Sequence, residues 1–256
     1  MKNVQKIPAC LVHIFTGSGI IFSFMALVSV IEGYKLLTFM FLGIALLVDI
    51  VDGTLARKYK TEIIFPNIDG KTLDTIIDYI NYIFIPCIMI YKFGYLPPDF
   101  TIIIPIFIIC VSLYSYVNTN LVDTSCSYIG FPSIWNVILL YLEILSFNQW
   151  INLFIILLFI LLKFVPFRVI HPMRNVTFKK TNIIFLFGTL LTSSILLISK
   201  LEVKFINDFY FYFIVLWLIF NSYFILFVVF SNLLSSKLFK IKKNLTTIWY
   251  NEWYKD

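Results

Sequence analysis

Apolar runs long enough to span a lipid bilayer recur from one end of this chain to the other, and that feature rules out most folds. Eight runs stand out, at 10–31, 36–56, 73–93, 101–118, 131–147, 150–166, 182–200 and 209–234. A helix of about 20 apolar residues crosses the ~30 Å hydrocarbon layer with its backbone hydrogen bonds made internally, which an open sheet or lipid-exposed loop cannot do. Composition agrees: 60% of the 256 residues are hydrophobic, 19% aromatic and only 13% charged. That charged share is about half of a soluble domain's, and no water-soluble fold of this length buries so much apolar surface. The expected fold is all-α, a polytopic integral membrane bundle of about eight transmembrane helices in a single domain over 1–256. The fifth and sixth runs are short and separated by little more than Asn148–Gln149–Trp150. They form either two tilted helices or a less regular hairpin.

The distribution of Lys and Arg sets the orientation. The opening MKNVQKIP resembles the basic start of a signal peptide, but the run that follows is too long for a signal core and seven more come after it, so a retained first helix is expected. With the N-terminus cytoplasmic, sixteen of the 20 basic residues lie inside, within 2–6, 57–71, 163–180 and 237–255. The outside holds only Lys35, Lys92, Lys200 and Lys204. Both termini and the loop between Arg57 and Asp74 are therefore expected in the cytoplasm. The net charge of +6 is then explained by the inside rule and by attraction to anionic headgroups. No nucleic-acid motif is present, and no nucleic-acid partner is expected. Cys10, Cys87, Cys110 and Cys126 form no CxxC pair and read as reduced, packed thiols. His13 reads as packing, and His171 as a solvated loop residue or a phosphate neighbour.

One segment departs from this apolar pattern. DIVDGTLARKYKTEIIFPNIDGKTLDTIIDY, from Asp49 to Tyr79, sets four acids at the ends of two apolar runs. Asp49 and Asp52 are three apart, with Gly53 and Ala56 following on the same helical face, while Asp74 and Asp78 are four apart with Gly70 four before them. Two helices meeting through these faces bring four carboxylates to one point at the cytoplasmic end. A single central Asp costs about 2.5–3.5 kcal/mol to insert, and two unit charges 4 Å apart repel by ~4 kcal/mol at an effective dielectric of 20. Neither acidic face carries a Lys, and only Arg57 is near, so a divalent cation is the better partner. Oxygen ligands without His or Cys suit Mg²⁺ or Mn²⁺ rather than zinc. Gly53, Ala56 and Gly70 read either as close helix packing or, with Arg57 as a fork of donors, as room for a metal-bound phosphate.

This stretch resembles the CDP-alcohol phosphotransferase family, whose signature is D-x-x-D-G-x-x-A-R, a spacer, then G-x-x-x-D-x-x-x-D. Every signature residue is present between Asp49 and Asp78. The spacer, Lys58 to Asp69, is twelve residues where about eight is usual. That spacer, the Pro before Gly70 and the LD–ID–Y pattern resemble the bacterial phosphatidylcholine synthase branch, as do VHIFTGSG, DYINYIFIP, GFPSIWN and FVPFRVIHPMR. The resemblance implies CDP-diacylglycerol and free choline as substrates, with phosphatidylcholine and CMP as products. It implies two ions, Mn²⁺ or Mg²⁺, held by Asp49, Asp52 and Asp74 with Asp78 also touching them. It implies Gly53, Ala56, Arg57 and Gly70 around the CDP group, and Asp78 as general base for the choline hydroxyl. A homodimer in the bacterial inner membrane also follows from the resemblance alone.

Choline cannot donate hydrogen bonds through its trimethylammonium, so aromatic faces and one carboxylate are its natural receptor. Tyr82, one turn beyond Asp78, and Trp135 are the expected cage, with Tyr79, Tyr114 and Tyr141 behind them and Glu143 or Asp123 as the negative charge. Two other readings remain open. One keeps the chemistry but uses serine, inositol phosphate or glycerol phosphate, with Arg168, Arg174 and Lys179 as phosphate partners. The other makes the four acids a cation path, although transporters bind nearer the midplane.

Overall fold

The computed structural model describes residues 2–118, 127–170, 179–200 and 209–253. Helices α1 (Lys2–Glu32) and α2 (Lys35–Tyr59) pack against each other along their length, joined by a left-handed turn at Gly33. The short α3 (Thr61–Ile64) leads to α4 (Gly70–Tyr79), which runs through a π-helical turn (Ile80–Phe84) into α5 (Ile85–Phe93). Then come α6 (Ile103–Val117), β1 (Ser127–Ile129), α7 (Trp135–Leu145), α8 (Gln149–Leu162), β2 (Arg168–Ile170), α9 (Lys179–Ser199) and α10 (Tyr210–Trp253). All eight apolar runs are helical. Among the described residues six stretches are long and apolar enough to cross a membrane: Lys6–Glu32, Lys35–Tyr59, Gly70–Phe93, Pro98–Val117, Lys180–Ser199 and Tyr210–Phe230. The fifth and sixth runs form two short helices of 11 and 14 residues, which rise only about 16–21 Å.

Packing inverts the soluble pattern. The buried stripe of α1 is Ala9, Val12, Thr16, Gly19, Ser23, Ala26 and Val30, a strict 3–4 alternation of mostly small residues, while Leu11, Ile14, Ile21, Phe24 and Ile31 face outward. Small residues let helix backbones approach where lipid gives no hydrophobic drive between helices. A Cβ on Gly19 would stand 3.2 Å from Ile77 Cγ2 of α4. Four residues on, Ser23 Oγ donates to Asn81 Oδ1 at 2.8 Å, both buried. The segment from Ile83 to Ile90 is the most enclosed, with Ile83, Ile85, Met89 and Ile90 wholly buried.

Two devices close the ends of the bundle. At one end β1 and β2 pair antiparallel, Tyr128 opposite Val169. Gly130 follows at φ +79°, where an added Cβ would lie 2.4 Å from the Lys163 carbonyl. Asn232 of α10 bonds the same two-stranded sheet with both ends of its amide, accepting from Arg168 N at 2.8 Å and donating to Arg168 O at 2.6 Å. At the other end Glu143 accepts from Lys35 Nζ and Lys200 Nζ, each at 3.1 Å, and from Tyr95 Oη at 2.8 Å. Two of the four basic residues expected outside thus share one acid.

Candidate functional site

On α2 the buried residues Thr38, Leu42, Ala45 and Asp52 follow one stripe, and Asp49 falls in the same series. The helix that buries this face against α1 therefore carries its acids inward. Helix α4 begins with a sharp cap: Asp69 accepts from Thr72 N at 3.0 Å and from Thr72 Oγ1 at 2.5 Å. Those two bonds hold the Asp69 carboxyl below the ordinary carboxylate range. The cap fixes Gly70 as the first helical residue and so sets the direction of Asp74 and Asp78, one and two turns on.

The two helices bring Asp49, Asp74 and Asp78 together, one oxygen of each lying within 4.8 Å of the others, all three half-buried. An octahedral Mg²⁺ with bonds of about 2.0–2.1 Å spaces its ligand oxygens by ~2.9–4.2 Å, so a small inward movement of this trio fits such an ion. Three ionised carboxylates at this spacing repel by about 3–4 kcal/mol per pair at an effective dielectric of 20, which a divalent cation reverses. Asp52 stands outside the trio. It is 4% exposed, beside Thr16 of α1 and the Gly53 N–H, and within electrostatic reach of Asp74 and Asp49.

The small residues of the signature lie on the same two helices as the acids. A Cβ on Gly53 would meet Arg57 Nη1 at 3.5 Å, and Arg57 Nη2 donates to Thr54 Oγ1 at 3.4 Å, so the exposed guanidinium folds back along its own helix. Ala56 is half-buried on the same face. A Cβ on Gly70 would stand 3.0 Å from His13 Cε1 and 3.4 Å from His13 Nδ1. His13, read from sequence as packing alone, therefore belongs to the border of the site, and only the fold reveals it.

The aromatic expectations divide. Tyr82 is 8% exposed and its hydroxyl donates to Asp49 Oδ2 at 2.5 Å, tying the π turn to α2. Its ring adjoins the cluster, but its hydroxyl holds an acid. Trp135 is 0% exposed, its Nε1 donates to Ser112 Oγ at 2.9 Å, and its ring meets Phe131 edge-on at 5.3 Å. A ring so enclosed offers no open face to a ligand, which corrects the expectation of a cage wall there. Tyr114 is exposed and accepts from Asn118 Nδ2 at 2.8 Å, while Tyr141 bonds Asn221 of α10. Tyr116 was missed: it lies within electrostatic reach of Asp78, Asp49 and Asp74 and packs edge-on to Tyr79 at 5.6 Å. Nothing in its spacing sets it apart among the 15 tyrosines.

Glu143 is removed from the cluster. Its partner Lys35 starts α2 and Asp49 lies fourteen residues along it, about 21 Å at 1.5 Å per residue. It is a staple at the opposite end, not a counter-charge beside the acids. Asp123, His171 and Arg174 lie outside the described residues, as does the Lys179 side chain.

Comparison with known proteins finds a family and named relatives. A family model described as CDP-alcohol phosphatidyltransferase matches residues 9–169, which takes in the cluster and its cap. Similar proteins include a phosphatidylcholine synthase of Pseudomonas aeruginosa, 36% identical over 200 residues, covering 78% of this chain and 84% of that protein. Another, a phosphatidylcholine synthase of Borreliella burgdorferi, is 37% identical over 183 residues, covering 72% of this chain and 78% of its own.

Proposed function

We infer that this chain, which belongs to the CDP-alcohol phosphatidyltransferase family, transfers the phosphatidyl group of CDP-diacylglycerol to free choline, giving phosphatidylcholine and CMP. The observation that carries this reading is the convergence of Asp49, Asp74 and Asp78 within 4.8 Å at the positions of the signature, in a chain 36% identical to a phosphatidylcholine synthase.

Asp49, Asp74 and Asp78, with Asp52 behind them, would hold the divalent ions, two of Mn²⁺ or Mg²⁺. When bound, such ions neutralise the donor's pyrophosphate and stabilise charge on the leaving CMP. The chain's own groups do the rest. Gly53, Ala56 and Gly70 leave the space that the CDP group fills, and Arg57 swings from Thr54 to a phosphate oxygen. Asp78 accepts the choline hydroxyl proton as that oxygen bonds to the lipid-side phosphorus and the bond to CMP breaks. A carboxylate with an ordinary pKa near 4 is a weak base for an alcohol. It is sufficient here because the proton becomes acidic only as the new bond forms, and positioning supplies much of the remaining barrier. For the trimethylammonium, Tyr82 and Tyr116 are the tyrosines that adjoin the acids.

The same proposal puts the protein in a bacterial inner membrane as one domain and a homodimer, with both termini and the acids on the cytoplasmic side. The Lys and Arg bias supports that orientation. The test offers purified protein CDP-diacylglycerol and Mn²⁺ with labelled choline, serine, inositol phosphate or glycerol phosphate. Labelled lipid and CMP with choline alone, lost in Asp78→Asn, is expected. Turnover with a different acceptor refutes choline while leaving the cluster its role, and cation flux without a CDP-lipid refutes the transferase.

A further inference from the structure

We propose that His13 binds the CMP half of the donor through a hydrogen bond from its Nε2. The inference rests on the reading of the donor as a CDP-lipid. His13 lies on α1, which supplies none of the signature residues. One side chain of that helix nevertheless borders an acid, Thr16 beside Asp52, and His13, one turn earlier, stands against Gly70. Gly70 is one turn before Asp74 on α4. A group touching it therefore sits one turn toward the cytoplasmic end from the carboxylates that hold the pyrophosphate, where the nucleotide side of the donor must lie.

The imidazole itself is incomplete. Its Nε2 is shielded from solvent and is one of two buried side-chain polar atoms without a hydrogen-bond partner among the described residues. A buried donor or acceptor left unpaired is costly, so such an atom beside a ligand site calls for a ligand atom. Around the ring stand Gly70, whose missing Cβ leaves the imidazole its place, and Phe65, edge-on at 6.1 Å in the segment between α3 and α4. A nucleotide seated against Gly70 reaches Nε2 by displacing Phe65. Phe65 belongs to the spacer between Arg57 and Gly70.

The test is calorimetric titration of purified protein with CMP, together with KM and kcat for CDP-diacylglycerol. His13→Phe keeps a ring of similar shape without its nitrogens, and His13→Gln returns an N–H near the place of Nε2. A hydrogen bond to a charged group corresponds to about 10–100-fold in affinity. His13→Phe is therefore expected to weaken CMP binding and raise the KM for CDP-diacylglycerol by that factor, with choline KM and the unfolding temperature held and with His13→Gln recovering most of the loss. Because the chain has only 2 histidines, ¹⁵N-histidine labelling gives an independent readout on the unmutated protein. The His13 signal, assigned with a His171 variant, should move on CMP addition. CMP affinity unchanged in His13→Phe, or an unmoved His13 signal at saturating CMP, overturns the proposal. Retained CMP binding with no choline lipid formed would refute the choline reading and leave His13 in its role.

Discussion

Replacing Tyr82 by Phe separates two jobs that one residue can do beside a cluster of acids. The ring is 8% exposed, and Phe fills its space, so no cavity opens and packing is held. What disappears is the 2.5 Å bond to Asp49 Oδ2. A hydrogen bond to a charged partner contributes about 1.5–3 kcal/mol, or ~10–100-fold, the range seen when groups that orient metal ligands are removed. The carboxylate itself stays in place, so the lower half of that range is expected. In a choline-to-lipid assay run across Mn²⁺ concentrations, half-saturation should rise by about 10–30-fold. Activity at saturating metal should largely return, and choline KM should stay within about twofold, because the aromatic face survives. An unchanged metal curve would refute the assignment.

Glu143→Gln keeps the bond to Tyr95 but removes two ion pairs whose lysines are over a third exposed, so a loss of about 1–2 kcal/mol in detergent unfolding is expected. Glu143→Leu, which also orphans the Tyr95 hydroxyl, should lose about 2–5 kcal/mol. Turnover per folded molecule should hold in both, and a selective loss of kcat would put the acid back in the chemistry. Gly130→Ala meets both a left-handed backbone and a carbonyl 2.4 Å from the new Cβ, and should cost about 2–4 kcal/mol or prevent folding; normal stability there would contradict that close approach. The Asp69 carboxyl lies below the ordinary value when folded, so its capping contribution is present above the unfolded pKa near 4 and is lost as pH falls through the lower folded value. Asp69→Asn, still a good cap, should flatten that acid limb of the stability curve, and an unaltered limb would argue against the cap.

How much of this was legible in advance depended on whether a residue's role follows from its own helix. The apolar runs gave every major helix because span length is a local property. The three-and-four spacing of Asp49, Asp52, Asp74 and Asp78 gave their faces for the same reason. Partners from distant segments were not legible. His13 looked like a lone polar residue because Gly70 reaches it only after α1 and α4 pack. Trp135 looked available because nothing in its neighbourhood announces Ser112. Glu143 looked like a candidate counter-charge until Lys35 and Lys200, themselves exceptions to the inside bias, were found on it. Asp52 shares a face with Asp49, yet the fold turns it toward Thr16 instead of into the trio.

The π turn at Ile80–Phe84, where Ile85 N–H reaches back to Ile80 O, has a consequence for which length changes the chain can survive. A π turn holds one more residue than an α turn, and one residue is about 100° of rotation at 3.6 per turn. The half of the helix carrying Asp74 and Asp78 is thus offset from the half carrying Met89 and Ile90, and each is aimed independently. Removing a single residue from this turn would leave every side chain chemically intact. It would nonetheless force a choice: either the acids swing away from Asp49, or the most enclosed face of the bundle rotates toward lipid.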